Sequence, residues 1–504
     1  MQLGYESYAE AKREFTWAEA WELVDGTPDA INACHECLDR HDGTATRIKY
    51  SDGSSAEHSF EELSTAAGQF ANLLADRGVT SSDRIAIMLD PSKAFLTSFF
   101  GTMKHGAGAI PCSELFGPDA LEYRLRDSGA TALVTSTEVL ETIDTDLTAF
   151  CLTKEELDDS LAGYESSYEA DTSGDSEAWV QYTSGTTGRP EAVPYDHASV
   201  ANFAPVMDFI MDFEIGDSCF TTSSTGWGTG IWIGTFAPLV LGIPNGYYSG
   251  AFDPRLALDA IEEFNVNALL GIVPTAYRKM IEAMEAPVTV EKANYLGEPI
   301  DPDLSREVES TFGAFPRALY GVTEVRSIIT IDYGFPDYDF KHGSMGKPLL
   351  GIEVTVVDED GTELPADEIG YIAVRRSDEW ITTSDAGYYD EEGYFWSAGR
   401  MDDTIISAGY TIGPQEVEDT LRTHPAVREA GVIGIPDEDR GEVVKAYLEV
   451  TPSGDDDLAE DIRRYVREEL SKHEYPREIE FVDEVPRTPD GKIQRARLRD
   501  REGL

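Results

Sequence analysis

A chain of 504 residues, 41% of them hydrophobic, is long enough to bury more than one core, which excludes a disordered or fibrous polymer. The charge is lopsided: 95 acidic against 40 basic residues give a formal net charge of −55. Nucleic acid and anionic membrane surfaces both demand a cationic footprint, so neither is expected as a main partner. The acids are dispersed along the chain, which leads to the expectation of a surface adapted to concentrated salt, where self-repulsion is screened.

The N-terminus lacks a basic-then-apolar leader and no apolar run reaches membrane-spanning length, so a soluble, cytoplasmic protein is expected. The cysteines Cys34, Cys37, Cys112, Cys151 and Cys219 are odd in number and scattered, as suits a reducing compartment. Cys34 and Cys37 invite a zinc reading. A structural zinc site needs four ligands, however, and no second pair follows downstream. The stretch "DAINACHECLDRH" has helical periodicity, so both thiols are expected on the core face of one helix.

Between residues 60 and 135 helix-like and strand-like pieces alternate: "FEELSTAAGQFANLLADRG", "RIAIML", "SKAFLTSFFGTMKHG", "TALVTS". The alternation resumes with "HASVANFAPVMDFI", "DPRLALDAIEEFN", "VNALLGIVP" and "TAYRKMIEAM". This pattern predicts an α/β architecture with substantial parallel sheet. From about residue 350 the texture becomes β-rich, with "IEVTVVDEDGTELP" and "GYIAVRR" around an Asp-Gly turn. A compact mixed α/β module follows, so the expected division is a large domain over 1–401 and a small one over 402–504.

Four stretches carry candidate chemistry. "TSGTTG", following the strand-like "AWVQY", supplies glycines that let backbone N–H groups approach phosphate and hydroxyls that add neutral donors. It lacks the Gly-Lys-Ser/Thr ending of a Walker A loop, and a plain surface loop is the alternative. "YGVTE" sets Glu324 beside Thr323, a pair suited to Mg²⁺ and a phosphate oxygen, although Glu324 may equally be read as a solvated carboxylate. In "TTSDAGYYDEEGYFWSAGRMDD", Asp385 can accept both hydroxyls of a ribose diol and Arg400 can meet phosphate with its planar fork. "PRTPDGKIQR" carries Lys492 just past an Asp-Gly turn.

Together and in this order, the four stretches resemble the adenylate-forming superfamily of acyl-CoA synthetases, firefly luciferase and peptide-synthetase adenylation domains. The resemblance spans nearly the whole chain, and "TGW", "GIVPTAYR", "GSMGKP" and "GYFWSAGRMDD" look most like the medium-chain acyl-CoA synthetase branch. It implies the adenylate-forming fold: a large N-terminal domain of α/β subdomains with a β-rich subdomain, plus a small mobile α+β C-terminal domain. It also implies ATP, Mg²⁺ and CoA as cofactors and a small carboxylic acid as substrate. By the same resemblance Thr183, Ser184, Gly185, Thr186, Thr187 and Gly188 hold the β- and γ-phosphates. Gly297, Glu298, Pro299 and Tyr320 line the adenine site, and Thr323 touches the α-phosphate. Glu324 binds Mg²⁺, Asp385 holds the ribose, and Arg400 binds nearby. Lys492 bridges carboxylate and α-phosphate, and Asp402 is the hinge of the small domain.

The implied reaction is attack of an acyl carboxylate on ATP, giving acyl-adenylate and pyrophosphate, then thioester formation with CoA. Acetyl-CoA synthetases carry tryptophan at the position of Gly321, so an acid larger than acetate is expected, with Trp227 either as a wall of its pocket or as a plain core residue. Three positions depart from the pattern: Glu191 replaces the lysine that ends the phosphate loop, Thr411 replaces the arginine of the CoA-facing turn Gly409-Tyr410-Thr411, and Ile406 stands where lysine or asparagine is usual. Transfer of the acyl group to another acceptor, such as a carrier protein, and a binding protein without catalysis are the alternative functions. Retention of Lys492 argues against the latter.

Overall fold

The computed structural model describes residues 4–504 except 184–189, 323–324, 333–334, 377–378, 408–409, 438–439, 452–455, 471–474 and 488–492; the side chains of Thr183, Asp402, Ile406, Tyr410, Thr411, Asp456 and Glu468 also lie outside the description. The chain divides into two compact units, one of residues 1–297, 304–317 and 332–339, the other of 298–303, 318–331 and 340–504.

In the first unit the alternation of helix and strand builds two sheets. One has the strand order Phe150–Thr153, Ala132–Thr135, Arg84–Ile87, Gly108–Pro111, Glu177–Thr183, Glu191–Asp196. All neighbours run parallel except the last pair, an antiparallel hairpin. The strands Arg84–Ile87 and Ala132–Thr135 read as short apolar runs because helices cover them. Helix Phe60–Asp76 starts on Ser59, whose hydroxyl accepts the Glu62 N–H at 3.0 Å, and helix Lys93–His105 starts likewise on Ser92. Their apolar faces (Phe70 and Leu74; Phe95 and Phe99) join Ile85, Ile87 and Trp179 in one buried core.

The other sheet of this unit runs Ser55–Ser59, Thr44–Tyr50, Asn245–Ser249, Cys219–Thr221, Ala268–Ile272, Lys292–Tyr295, parallel throughout except for its first pair. Cys34 and Cys37 are fully buried in the hydrophobic core on one helical run, as expected, but that run covers only residues 33–39 and is not regular α-helix throughout. A short π-helical turn spans His35–Asp39. The reason is the buried Glu36: its carboxylate accepts the N–H groups of Asp25 and Gly26 at 3.0 and 2.8 Å and pairs with Arg40 at 2.8 Å. Those tertiary bonds outweigh local helix propensity.

In the second unit, the strand Pro316–Val322, from Ala318 onward, pairs antiparallel with Arg326–Thr330, which pairs with Lys347–Pro348. A four-stranded antiparallel meander follows: Val354–Val357, Gly370–Arg376, Glu379–Tyr389, Phe395–Arg400. This is the β-rich piece anticipated from the sequence. Beyond it the sheet order is Tyr410–Ile412, Ile405–Ser407, Gly441–Val450, Val427–Asp437, and Glu478–Phe481 lies parallel to Gly441–Val450. Helices Pro414–Arg422 and Asp456–Glu469 pack Val417, Leu421, Ile462 and Val466 onto this sheet. The last helix, Arg495–Glu502, is tied by ion pairs from Arg495 to Glu418 at 2.6 Å and from Arg499 to Asp403 at 2.7 Å.

Candidate active site

The phosphate-loop candidate sits at the turn of the Glu177–Thr183/Glu191–Asp196 hairpin. Its strands are clamped by a registered aromatic pair: Trp179 stands opposite Tyr195, with ring centroids 4.6 Å apart and stacked. The Tyr182 hydroxyl donates to Asp127 at 2.8 Å and fixes the strand from the other side. Thr183 is the last residue of the first strand and pairs in register with Glu191, the first residue of the second. The departure from the lysine pattern thus falls at the base of the loop, directly across from its start, and Glu191 is exposed. Ser184, Gly185, Thr186, Thr187 and Gly188 lie outside the described residues, as does the side chain of Thr183.

In the second unit three candidate residues, Tyr320, Asp385 and Arg400, lie on separate strands, and the first two are hydrogen-bonded. The Tyr320 hydroxyl donates to the Asp385 carboxylate at 2.8 Å and to Thr383 Oγ1 at 3.3 Å. Asp385 is the register partner of Arg400 across the meander, so carboxylate and guanidinium start from directly opposed backbone positions. A register shift between Ala386 and Gly387 makes that pairing possible by adding one residue to the Phe395–Arg400 side. Thr383, buried, anchors the group by donating to the Ile372 carbonyl at 3.1 Å. Phenol and carboxylate are thus joined by a hydrogen bond, and Arg400 stands opposite the carboxylate residue in register, which assembles the donor and acceptor types that a ribose diol flanked by phosphate requires.

Gly321 follows Tyr320 at another register shift, where the hairpin closes tightly. A Cβ built on Gly321 would lie 2.3 Å from the Arg326 carbonyl oxygen and 2.6 Å from Ser327 Cα, so the backbone approach itself requires glycine here. Arg326 takes a positive φ of 64°, an uncommon conformation for a residue with a side chain. Of the adenine-site candidates, Gly297 and Pro299 are exposed and Glu298 half-buried, in the bend after strand Lys292–Tyr295.

Trp227, in the first unit, is 45% exposed, which removes the alternative of a plain core tryptophan. Its ring meets Phe116 edge-on with centroids 5.8 Å apart. The turn before it is held by Ser224, whose carbonyl accepts the Trp227 N–H at 3.2 Å and whose hydroxyl accepts the Gly226 N–H at 3.1 Å.

Thr323, Glu324, Gly409 and Lys492 lie outside the described residues, as do the side chains of Asp402, Tyr410 and Thr411. Two residues with a structural claim on these sites were not anticipated from sequence. Thr383 holds the Tyr320–Asp385 pair, and its only signal was a hydroxyl two positions before the aspartate in "TTSDAG". Glu114, a carboxylate directly after the apolar "AIPCS", accepts the Ser224 hydroxyl at 2.8 Å beside Trp227.

The chain matches the family described as AMP-binding enzyme over residues 37–382 and the AMP-binding enzyme C-terminal domain over 416–492. It is 33% identical to an acetyl-coenzyme A synthetase of Bacillus subtilis, over 98% of this chain and 94% of that protein. It is 30% identical to the mitochondrial acyl-coenzyme A synthetase ACSM3 of Rattus norvegicus, over 94% and 91% of the two chains. Among solved structures it resembles an acyl-CoA synthetase of Brucella canis (30% identity, 99% of both chains, TM-score 0.75). It also resembles the anthranilate CoA ligase AuaEII in complex with anthranoyl-AMP (27% identity, 97% and 99% of the chains, TM-score 0.84). With relatives matched from end to end in sequence and in fold, the chain belongs to the AMP-binding enzyme family and is an AMP-forming acyl-CoA synthetase that uses ATP and CoA.

Proposed function

We propose that the protein activates a carboxylic acid larger than acetate, with the residue roles implied by the family resemblance. What supports the nucleotide part of this reading is the Tyr320–Asp385 hydrogen bond with Arg400 in register opposite Asp385; on this reading Asp385 accepts the ribose hydroxyls and Arg400 meets phosphate. The acyl carboxylate oxygen attacks the α-phosphorus, a P–O bond forms, and the bond to pyrophosphate breaks. The obstacle is repulsion between two anions. Lys492 offsets it at the reacting oxygens, and neutral donors of the 183–188 loop hold the terminal phosphates.

Mg²⁺, when bound, would supply further charge neutralisation on the phosphates. One carboxylate (Glu324) next to one hydroxyl (Thr323) is the donor set such an ion accepts, since it keeps substrate oxygens and water as its other ligands. Both lie in sequence between Val322 and Arg326, which pair with each other. The division into 1–401 and 402–504 with Asp402 as hinge then lets Lys492 withdraw, so that the CoA thiol attacks the mixed anhydride and AMP leaves. Trp227, Gly321 and the Gly409-Tyr410-Thr411 turn belong to the acyl and CoA paths in this reading.

The named relatives act on acids from acetate to 4-hydroxybutyrate, so acid size is a property to be measured in this chain. Among the described residues no helix is long and apolar enough to cross a membrane; the reading of a cytoplasmic, salt-adapted enzyme of fatty-acid metabolism rests on the acidic composition and the family resemblance. The test is pyrophosphate release and acyl-CoA formation, measured separately in concentrated KCl over a panel of acids. Both products are expected. Pyrophosphate without thioester would instead favour transfer to another acceptor, and turnover confined to acetate would overturn the size assignment.

A further inference from the structure

The surroundings of the exposed Trp227 are not simply apolar. Glu114 lies half-buried on the segment that follows strand Gly108–Pro111, and its carboxylate accepts the Ser224 hydroxyl at 2.8 Å. Ser224 is three residues before the exposed indole of Trp227, and Phe116, two residues after Glu114, meets that indole edge-on. The two segments also meet backbone to backbone: a Cβ on Gly226 would lie 2.2 Å from Ser113 Cα. The carboxylate is therefore held beside the tryptophan by packing as well as by a hydrogen bond.

Two further polar groups here lack partners. Gln181 is only 6% exposed, yet its Oε1 has no hydrogen-bond partner. That oxygen lies 3.9 Å from where a Cβ on Gly228, the residue after Trp227, would stand. Thr225 is fully buried and its Oγ1 is likewise unpartnered. Buried polar atoms are paired in most folded proteins, because leaving them unpaired forfeits their hydration without replacement. An acceptor oxygen held without a donor beside the residue that follows Trp227, on a segment whose Ser224 already binds the Glu114 carboxylate, points to a ligand that brings a donor. Burial pushes the Glu114 carboxyl above its usual range, with a smaller push from Asp90, against the pull of its own N–H and of Ser224.

We infer that Glu114 is a specificity-determining residue of the acyl pocket, and that the acid activated here carries a hydrogen-bond donor, hydroxyl or ammonium, toward its far end. The inference rests on the reading of Trp227 as an acyl-pocket wall. A carboxylate and an indole face together suit such a group: the first accepts its proton, the second covers the adjoining methylenes and, for ammonium, adds a cation–π contact. A methyl-terminated acid of the same length would desolvate the Glu114 carboxylate further while bringing it no donor, the arrangement by which polar pockets reject apolar isosteres.

The test compares wild type, Glu114→Leu, Glu114→Gln, Ser224→Ala and Trp227→Ala in pyrophosphate release, using a length series of ω-hydroxy, ω-amino and methyl-terminated acids. In the wild type, kcat/KM for the best donor-bearing acid is expected to exceed that of its methyl isostere by about tenfold or more. Glu114→Leu is expected to erase or invert that ratio, and Ser224→Ala, which keeps the carboxylate but loosens it, to lower it severalfold. Retention of the preference in Glu114→Gln assigns a hydroxyl, which an amide oxygen still accepts from, and its collapse assigns an ammonium. A ratio in Glu114→Leu within twofold of wild type, or in Ser224→Ala should the leucine variant not fold, overturns the inference alone, provided that Trp227→Ala alters KM for the acids. If Trp227→Ala moves no acid's KM, the wall reading falls and the inference with it.

Discussion

Removing the Tyr320 hydroxyl isolates the contribution of positioning to nucleotide binding. Tyr320→Phe deletes one hydrogen bond to a carboxylate at 2.8 Å and one to Thr383 at 3.3 Å while leaving the ring in place. A hydrogen bond to a charged acceptor contributes about 1.5–3 kcal/mol, and the half-buried setting of Tyr320 argues for the lower end. If that bond is what fixes the Asp385 rotamer for the ribose hydroxyls, about 1.4 kcal/mol converts to a tenfold weaker ATP affinity. The acid should be unaffected, because its carboxylate meets other residues. ATP-dependence of pyrophosphate release gives KM, and direct ATP titration gives Kd. Asp385→Asn serves as the upper bound, since it halves the acceptor capacity offered to the diol. A Tyr320→Phe enzyme with ATP affinity within twofold of wild type, alongside a strongly impaired Asp385→Asn, would refute the reasoning: the tyrosine would then stabilise the fold without positioning the ribose acceptor.

Glu191→Lys restores a cation at the base of the phosphate loop. Because the position is exposed, the gain in ATP affinity is expected to be roughly fivefold at low ionic strength and to vanish in molar KCl, where the Debye length is about 3 Å; an affinity unchanged at every salt concentration would mean that residue 191 points away from the phosphates. Burial raises the Asp332 carboxyl to about 8, only partly opposed by Arg317, so the folded state holds a proton that the unfolded chain releases near its ordinary carboxylate value. Stability linked to this group is therefore fully present below about pH 4 and is lost as pH rises to about 8, at up to about 1.4 kcal/mol per pH unit. Asp332→Asn is expected to raise the denaturation midpoint more at pH 8.5 than at pH 6, and an equal effect at both would contradict the assignment. His197 works in the opposite direction. It is buried and its ring nitrogen accepts the Ala33 N–H at 3.0 Å; burial lowers its pKa to about 4. Stability should therefore fall as pH drops from about 6.5 to 4, and His197→Gln should flatten that slope in urea titrations. The net charge of −55 predicts a melting temperature that climbs from dilute to molar KCl, and a flat dependence would remove the salt-adaptation reading.

The architecture was legible wherever local pattern and tertiary environment agree. Buried parallel strands such as Arg84–Ile87 and Ala268–Ile272 read as apolar runs, and capped helices such as Phe60–Asp76 carried their own start signals. Reading failed where long-range bonds decide. The turn at His35–Asp39 is set by the buried Glu36 and its partners, which periodicity cannot see. Strand Glu191–Asp196 contains Pro194, and a proline inside a run argues against a strand; it is tolerated because this strand lies at the sheet edge. The site divides in the same way. Asp385 and Arg400 could be named from their residue types, but their face-to-face pairing depends on a one-residue register shift that carries no sequence signal. Glu114 and Ser224, 110 positions apart, carry no local signal that would join them.

Gly321 changes meaning once the hairpin is known. From the sequence, a glycine where acetate-specific relatives carry tryptophan means an open pocket, and the residue would seem to be selected by the acid. In the structure the glycine answers first to its own backbone: with Arg326 O at 2.3 Å and Ser327 Cα at 2.6 Å from the Cβ position, any side chain would have to reshape the hairpin that carries Tyr320 on one side and leads into Thr323 and Glu324 on the other. Such a change would disturb adenine and phosphate contacts as well as pocket depth, since overpacking against backbone is relieved only by moving it. A tryptophan at this position therefore implies a differently closed hairpin, so the glycine and the hairpin form one unit of specificity. If the glycine is fixed by its backbone, the side chains proposed to carry acid choice are ones that can vary without disturbing nucleotide geometry. The Glu114–Ser224–Trp227 group meets that condition, because its hydrogen bond and its ring contact are made within the first compact unit alone, whereas Tyr320, Asp385 and Arg400 belong to the second.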